Sequence, residues 1–449
     1  MNDEVNLVAA TDHESDLKSL VAEILRRARD AGADAAEVSA SEDAGLGVTV
    51  RLGDLETVEF NRDRGFGITV YFGKRKGSAS TSDSTPDAVA ATVQAACNIA
   101  RFTEEDPCHG LADAELMARV FPDLDLDHPW TTTVADAEAL AQTAEAAARG
   151  HDRRVTNSDG ASVGTQRFCR VYGNSHGFLG SHIGTRHSIS CGVIAGDGKT
   201  MQRDHYYTTG RSIDDLDAAE QVGAEAARRA VARLGARPVK TGRYPVLFTA
   251  EVASGLIGHL MAALSGGSLY RNASFLTNSL GRKLLPDGYS VIERPWLPRG
   301  PGSAAFDSDG VATYEKAFID RGHIASYVLG SYSARRLGMT TTANSGGVHN
   351  LWVEGPRQPF DELIRGVREG LLVTELIGQG VNIVTGDYSR GVAGFWISEG
   401  VPVFPVDELT IAGHLNDMYG AVIGLGDDPD RRGNVVTGSL LIDGMTVAG

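Results

Sequence analysis

The chain has 449 residues, 42% of them apolar and 22% charged. At roughly 150 residues per domain this suggests about three globular domains, and it excludes disorder along the whole length. The 42 Lys and Arg against 58 Asp and Glu leave a net charge of −16, so sequence-independent binding to nucleic-acid phosphates is not expected.

Glycine is abundant, at 54 residues. It lacks the G-X-Y period of collagen and reads as turns between short apolar runs. No stretch approaches the roughly 18 uninterrupted apolar residues of a membrane helix. The opening residues lack the basic n-region of a secretory signal. Cys97, Cys108, Cys169 and Cys191 form no CxxC. These features point to a reduced, cytoplasmic protein without structural disulfides and without a membrane partner.

In chain order, Leu17, Leu20, Val21, Ile24, Leu25 and Ala28 recur at helical spacing over 17–31, with Gly32 as the stop. The period then falls to two through Val48, Val50 and Leu52, a turn at Gly53-Asp54, and Leu55, Val58 and Phe60, which predicts an antiparallel meander. Pro86 opens a helix to about Phe102, and the Pro-rich, acidic stretch over 103–132 reads as a linker. A helix over 135–149, strands within 153–210 and a helix over 214–234 repeat the helix–meander–helix order, without a close sequence repeat. After 238 come a strand at 244–248 and a helix with Thr249 as N-cap and Glu251 in its first turn. Short apolar runs at 317–319, 348–353, 371–377, 391–397, 408–411 and 435–442 follow. The expected class is α+β with mostly antiparallel sheets and flanking helices. The expected domains are 1–105, a linker at 106–132, 133–237, and a β-rich 238–449.

Several motifs fall short of chemistry. Gly173-Asn174-Ser175-His176-Gly177 spells a nucleophile elbow, but strand-like sequence on both sides predicts a hairpin turn. The run 192–200 lacks the first P-loop glycine, having Val193 there, and reads as a strand and a polar turn. Asp123, Asp125 and Asp127 alternate as in a calcium loop, but His128 and Val134 replace its glycine and glutamate, so a solvated linker is expected. His176, His182, His187 and His205 match no short ligand pattern and are expected on a polar sheet face.

The third region carries a longer signal. It contains Glu251-Val252-Ala253-Ser254-Gly255-Leu256-Ile257-Gly258-His259, then Asn344-Ser345-Gly346-Gly347, the run 380–391, Gly394-Phe395-Trp396, the run 408–413 and Gly438-Ser439-Leu440-Leu441. These ordered blocks resemble the PmbA (TldE) branch of the TldD/PmbA metalloprotease family, and the first two regions fit its organisation from about residue 36. The resemblance implies a cytoplasmic two-subunit zinc peptidase for unfolded peptides, such as a ribosomal peptide's leader or a labile antitoxin. In that family the TldD-like subunit carries HExxxH and its partner does not. Setting the final histidine of the motif on His259 puts the first at Ser254 and the glutamate at Gly255. The family's cysteine ligand has no counterpart in 431–438. Serine is a poor zinc ligand and glycine cannot act as a base. The resemblance thus implies no catalytic residue, metal site or cofactor in this chain, and zinc in a TldD-like partner. His259 also shares a helical stripe with Val252, Leu256 and Ala263, and reads equally as a core-edge histidine with a satisfied hydrogen bond. Gly255 and Gly258 would suit a deformed helix or close packing.

Asp387, Tyr388, Ser389 and Arg390 lie in the glycine-bounded block 385–391, and with Asn344 and Asn350 they are the candidate peptide- or partner-binding residues. The plainer alternative is a β-turn with an internal Asp387–Arg390 pair. Function reads first as the non-catalytic subunit of a heteromeric zinc peptidase. The alternatives are a self-contained hydrolase using another site and a non-enzymatic peptide-binding homodimer.

Overall fold

Residues 13–449 are described by the computed structural model, so the opening segment read for a secretory signal lies largely outside them. The chain divides into two compact units. The first runs to Val231 and includes Ala304–Thr313; the second holds Ala232–Ser303 and Tyr314–Gly449.

In the first unit, helix α1 (Glu14–Asp30) leads into β1 (Ala35–Arg51), β2 (Asp54–Phe72), β3 (Arg75–Thr81) and α2 (Pro86–Phe102). The pattern repeats as α3 (Val134–His151), β4 (Val155–Asn174), β5 (Leu179–Ala195), β6 (Gln202–Gly210) and α4 (Ala219–Ala232). The two meanders join through their first strands, β1 antiparallel to β4, into one six-stranded sheet of order β3-β2-β1-β4-β5-β6. The segments expected as domains 1–105 and 133–237 thus each supply three strands to a single sheet.

Strand alternation explains the layering. Ala36, Val38 and Ala40 of β1 and Phe66, Ile68 and Val70 of β2 point to one face and pack with Leu17, Val21, Ile24, Val93 and Ala96 of α1 and α2. The β1–β2 hairpin turns at Leu52 and Gly53, both with positive φ. Its two exposed N–H groups are taken by one buried carboxylate of α3, at 2.7 Å each from Glu145 Oε1 and Oε2. A turn visible in the sequence is thus locked by a residue from the following repeat.

Three expectations change here. The 106–132 stretch is a packed strap: Leu111, Leu124 and Leu126 are buried, and Asp127 is gripped through two hydrogen bonds, at 2.6 and 2.8 Å, by buried Arg167. Helix α4 starts at Ala219 rather than 214; a separate short 3-10 turn, Ile213–Asp215, opened by a capping box of Ser212 and Asp215, precedes it. Residues 304–313 leave the C-terminal region for the first unit, where Phe306 stacks on His182 at 4.1 Å and meets Phe178 at 5.2 Å.

The second unit contains β7 (Gly242–Phe248) and helix α5 (Ala250–Ala263), then β8 (Ser290–Glu293), β9 (Lys316–Asp320), β10 (His323–Ile324) and β11 (Leu351–Glu354). It continues through β12 (Arg357–Gln358), β13 (Glu369–Ile377), β14 (Val381–Asn382), β15 (Asp387–Ser398), β16 (Val401–His414), β17 (Val422–Gly426), β18 (Val435–Val436) and β19 (Leu440–Ala448). Strands β7, β13, β15, β16 and β19 pair in that order, and β19 pairs back to β7, so these five close a ring. Closure removes the edges that an open sheet would expose. The buried face of α5, with Ala253, Leu256, Ile257 and Leu260, joins Val246, Val373, Tyr388, Val392 and Ile411 of the ring in one core. The α+β class with mostly antiparallel pairing holds in both units.

Candidate functional site

Helix α5 follows β7 after a single residue, Thr249, which occupies the N-cap without a side-chain bond. Glu251 in the first turn is fixed by Arg432, Nη2 to Oε2 at 2.8 Å, and Arg432 also holds Asp430 at 2.9 Å. The Ser254 hydroxyl donates to the Glu251 carbonyl at 2.7 Å. Gly255 and Gly258 lie inside a regular α-helix, and a Cβ added at either meets nothing within 4 Å. Both earlier explanations of these glycines therefore fail among the described residues: the helix is not deformed, and no neighbouring atom presses on it.

His259 lies half-buried on the expected stripe, with Leu256 and Ala263 buried beside it. The expected hydrogen bond is absent: neither ring nitrogen has a partner among the described residues, and neither is sealed from solvent. Burial, and then the nearby Arg390 charge, hold the imidazole below its ordinary pKa, which keeps it neutral at pH 7. Its ring stands edge-on to Tyr388 at 6.2 Å.

The block 385–391 is a strand start rather than a loop. Val381 and Asn382 of β14 pair with Tyr388 and Asp387 of β15 across a tight turn. Gly386 makes this turn at φ 90°, where an added Cβ would sit 2.6 Å from the His414 ring. Alternation then exposes Asp387 and Ser389 and turns Tyr388 into the core. Tyr388 is 1% exposed, and its hydroxyl has no hydrogen-bond partner among the described residues. Burial pushes the phenol up to about 12, although Arg390 draws it down. Asp387 accepts from the Thr385 hydroxyl at 2.6 Å, while Arg390 donates through Nε to the Ile377 carbonyl at 3.3 Å. The internal Asp387–Arg390 pair does not form. The two halves of the sequence reading, the 254–259 stripe and the 387–390 block, meet at His259, Tyr388 and Arg390.

Asn344 and Asn350 belong elsewhere. Both are buried. Asn344 Nδ2 donates to Glu293 Oε1 at 2.9 Å and to the Gly347 carbonyl at 3.1 Å. Asn350 Nδ2 donates to the Arg294 carbonyl at 3.0 Å and to Ser303 at 2.8 Å, and its Oδ1 accepts from Gly302 N. They build a polar core around Glu293, itself fully buried and paired with Lys316, and their amides have no group left for a cleft. This network had no signal in sequence, because its members lie far apart along the chain.

The remaining motifs resolve as structure. Ser175 sits in the β4–β5 hairpin turn, where its hydroxyl accepts from Ala36 N at 3.1 Å. His187 is buried rather than on a polar face, hydrogen-bonded to Thr165 Oγ1 at 2.8 Å and donating to the His128 carbonyl at 2.9 Å. Among the described residues no three His, Cys, Asp or Glu side chains converge as metal ligands, and no helix is long and apolar enough to cross a membrane.

Comparison with known proteins places this geometry. Residues 36–100 match the PmbA/TldA metallopeptidase domain 1, residues 127–234 the central domain, and residues 241–449 the C-terminal domain. The chain is 48% identical to Metalloprotease PmbA of Escherichia coli O157:H7, over 93% of this chain and 92% of that protein. It is 45% identical to a PmbA homologue of Haemophilus influenzae, over 97% of each. A TldD homologue from the same Haemophilus strain is 22% identical, over 61% of each chain. The crystal structure of a Bacteroides thetaiotaomicron protein, proposed to modulate DNA gyrase, matches with a TM-score of 0.91 and 27% identity, over 96% of this chain and 98% of that one. This chain belongs to the PmbA/TldD metallopeptidase family, on its PmbA branch.

Proposed function

We propose that this chain is the PmbA/TldE-type subunit of a cytoplasmic heteromeric zinc peptidase, shaping the chamber for unfolded peptides while a TldD-like partner holds the zinc. The observation that carries this reading is the donor set on α5. At the positions matching HExxxH, the Ser254 hydroxyl is spent on a backbone carbonyl, Gly255 offers no base, and His259 stands as a lone imidazole. Zinc in peptidases takes three protein ligands and an open position. One imidazole does not fit that need, and no step of bond cleavage is assigned to this chain. The presence of a PmbA homologue and a TldD homologue in one Haemophilus strain supports a two-subunit arrangement.

The role left for this chain is positioning. Asp387 and Ser389 stand exposed on one face at the start of β15, and Arg390 stands half-exposed on the opposite face, which it shares with the buried Tyr388. An extended peptide held there would be read by polar side chains at alternate positions. Affinity-tagged chain, co-expressed with a TldD-like protein, is expected to elute as a stable complex of both. Elution of this chain alone or as a homodimer, with the TldD-like protein folded and present, would overturn the reading.

A further inference from the structure

Arg390 is conspicuous for its lack of a counter-ion. The chain carries 58 acidic residues against 42 basic ones, and Arg432, beside the first turn of α5, is gripped by two carboxylates. Arg390 is half-buried, yet only its Nε is engaged, on a carbonyl. Its terminal nitrogens have no acidic partner among the described residues. A partly desolvated guanidinium loses hydration and regains it only from an anion or from carbonyl acceptors.

Its neighbours sharpen the choice. The His259 ring stands edge-on at 6.2 Å to Tyr388, which shares a strand face with Arg390 two residues on, and both ring nitrogens lack a partner among the described residues. In the neutral form one of them donates a hydrogen bond. The Tyr388 hydroxyl beneath is buried without a partner, the kind of orphan that buried hydroxyls rarely leave without a functional reason. The bare helix face at Gly255 and Gly258 leaves this flank uncrowded by the chain's own side chains.

Resting on the reading of this chain as a peptide-handling subunit, we propose that Arg390 and His259 form a carboxylate-binding site. The planar guanidinium supplies a two-pronged grip through its terminal nitrogens, and the imidazole N–H supplies a further donor. A phosphate would find the same donors. A carboxylate is favoured because one guanidinium balances one negative charge, and the chain's net charge of −16 disfavours a dianion. The carboxylate comes either from a peptide's C-terminus or from an acidic side chain.

The test uses the isolated full chain and three acetylated peptide probes: tetra-alanine with a free C-terminus, the same peptide amidated, and an amidated peptide with one internal glutamate. The His259 ring resonances, assigned through His259→Asn, and the affinity are followed together. Either carboxylate-bearing probe should bind and shift the His259 resonances, and the one that does names the source of the carboxylate. The amidated tetra-alanine should not. Arg390→Gln should weaken binding about tenfold or more, and Arg390→Lys should fall between Gln and wild type, each with an unchanged unfolding midpoint. Equal binding of all three probes, or no shift at His259 with any of them, would overturn the proposal. Co-elution with the TldD-like protein is scored separately. A chain that assembles but binds no carboxylate refutes this site and leaves the subunit reading standing. A chain that binds carboxylate but never assembles does the reverse.

Discussion

The second unit concentrates polar groups in two places, and they are built on opposite principles. Around Glu293 the donors converge: Lys316, Asn344 Nδ2 and His349 N all meet one carboxylate that is 0% exposed, although the His349 Nε2 is left without a partner among the described residues. Around His259 the accounting is left open, with an imidazole, a phenol and a guanidinium near one another and no counter-charge among the described residues. Buried polar groups are satisfied almost everywhere in folded proteins, so the closed network explains itself by stability. The open one is explained by a ligand. Each includes a residue of the family-like sequence blocks, Asn344 in one and His259 and Arg390 in the other, and only the structure separates the two.

That contrast predicts effects of different size and kind. The largest falls on the closed network. Lys316→Met strands the Glu293 carboxylate without a cation and should cost about 3–5 kcal/mol of stability, read as a lowered denaturation midpoint. A loss under about 1 kcal/mol would place Glu293 in contact with water and remove the distinction.

Arg390→Ala should do the opposite. Stability should stay within about 0.5 kcal/mol of wild type. Peptide binding, or cleavage by the reconstituted pair, should weaken by about 1–3 kcal/mol. Loss of stability with binding intact would return Arg390 to a purely structural role.

Gly255→Ala sharpens the comparison further. The added methyl meets open space, and alanine is favoured over glycine in a helix interior by about 1 kcal/mol. The isolated chain should therefore gain stability. If assembly with the TldD-like protein or peptide cleavage falls at the same time, something outside this chain approaches the bare helix face.

The smallest effect is in pH. His259 is held below its ordinary pKa when folded, so between that value and the unfolded pKa near about 6.5 the unfolded chain binds the extra proton. Stability therefore falls as pH drops through this window, and the loss levels off once the folded imidazole is protonated. His187 and His349, also lowered by burial, add slopes of the same sign. His259→Asn should flatten its share of the midpoint-against-pH curve and leave the other two; an unchanged curve would mean that the ring is not desolvated.

The sequence carried the secondary structure well where periodicity was long. Pro86 and Phe102 bound α2 as expected, and the repeated helix–meander–helix order is the order found. What it could not carry was pairing at a distance. The union of β1 with β4, the return of Phe306 to the first unit and the ring closure of β19 on β7 are contacts between segments far apart in the chain. The site was legible in its parts, with His259 and Arg390 both singled out, but their meeting depends on how α5 packs on the ring, where His259 comes edge-on to Tyr388. The burial of Asn344 and Asn350 was hidden for the same reason, since Asn344 meets Glu293 and Asn350 meets Arg294 and Ser303, each about fifty residues away.

The most direct test of the account is the zinc content and peptidase activity of the purified chain by itself, set beside the reconstituted pair. The donor set on α5 predicts far less than one zinc per chain and no cleavage of an unfolded peptide until the TldD-like subunit is added. Stoichiometric zinc in the isolated chain, with cleavage that a chelator abolishes, would contradict it.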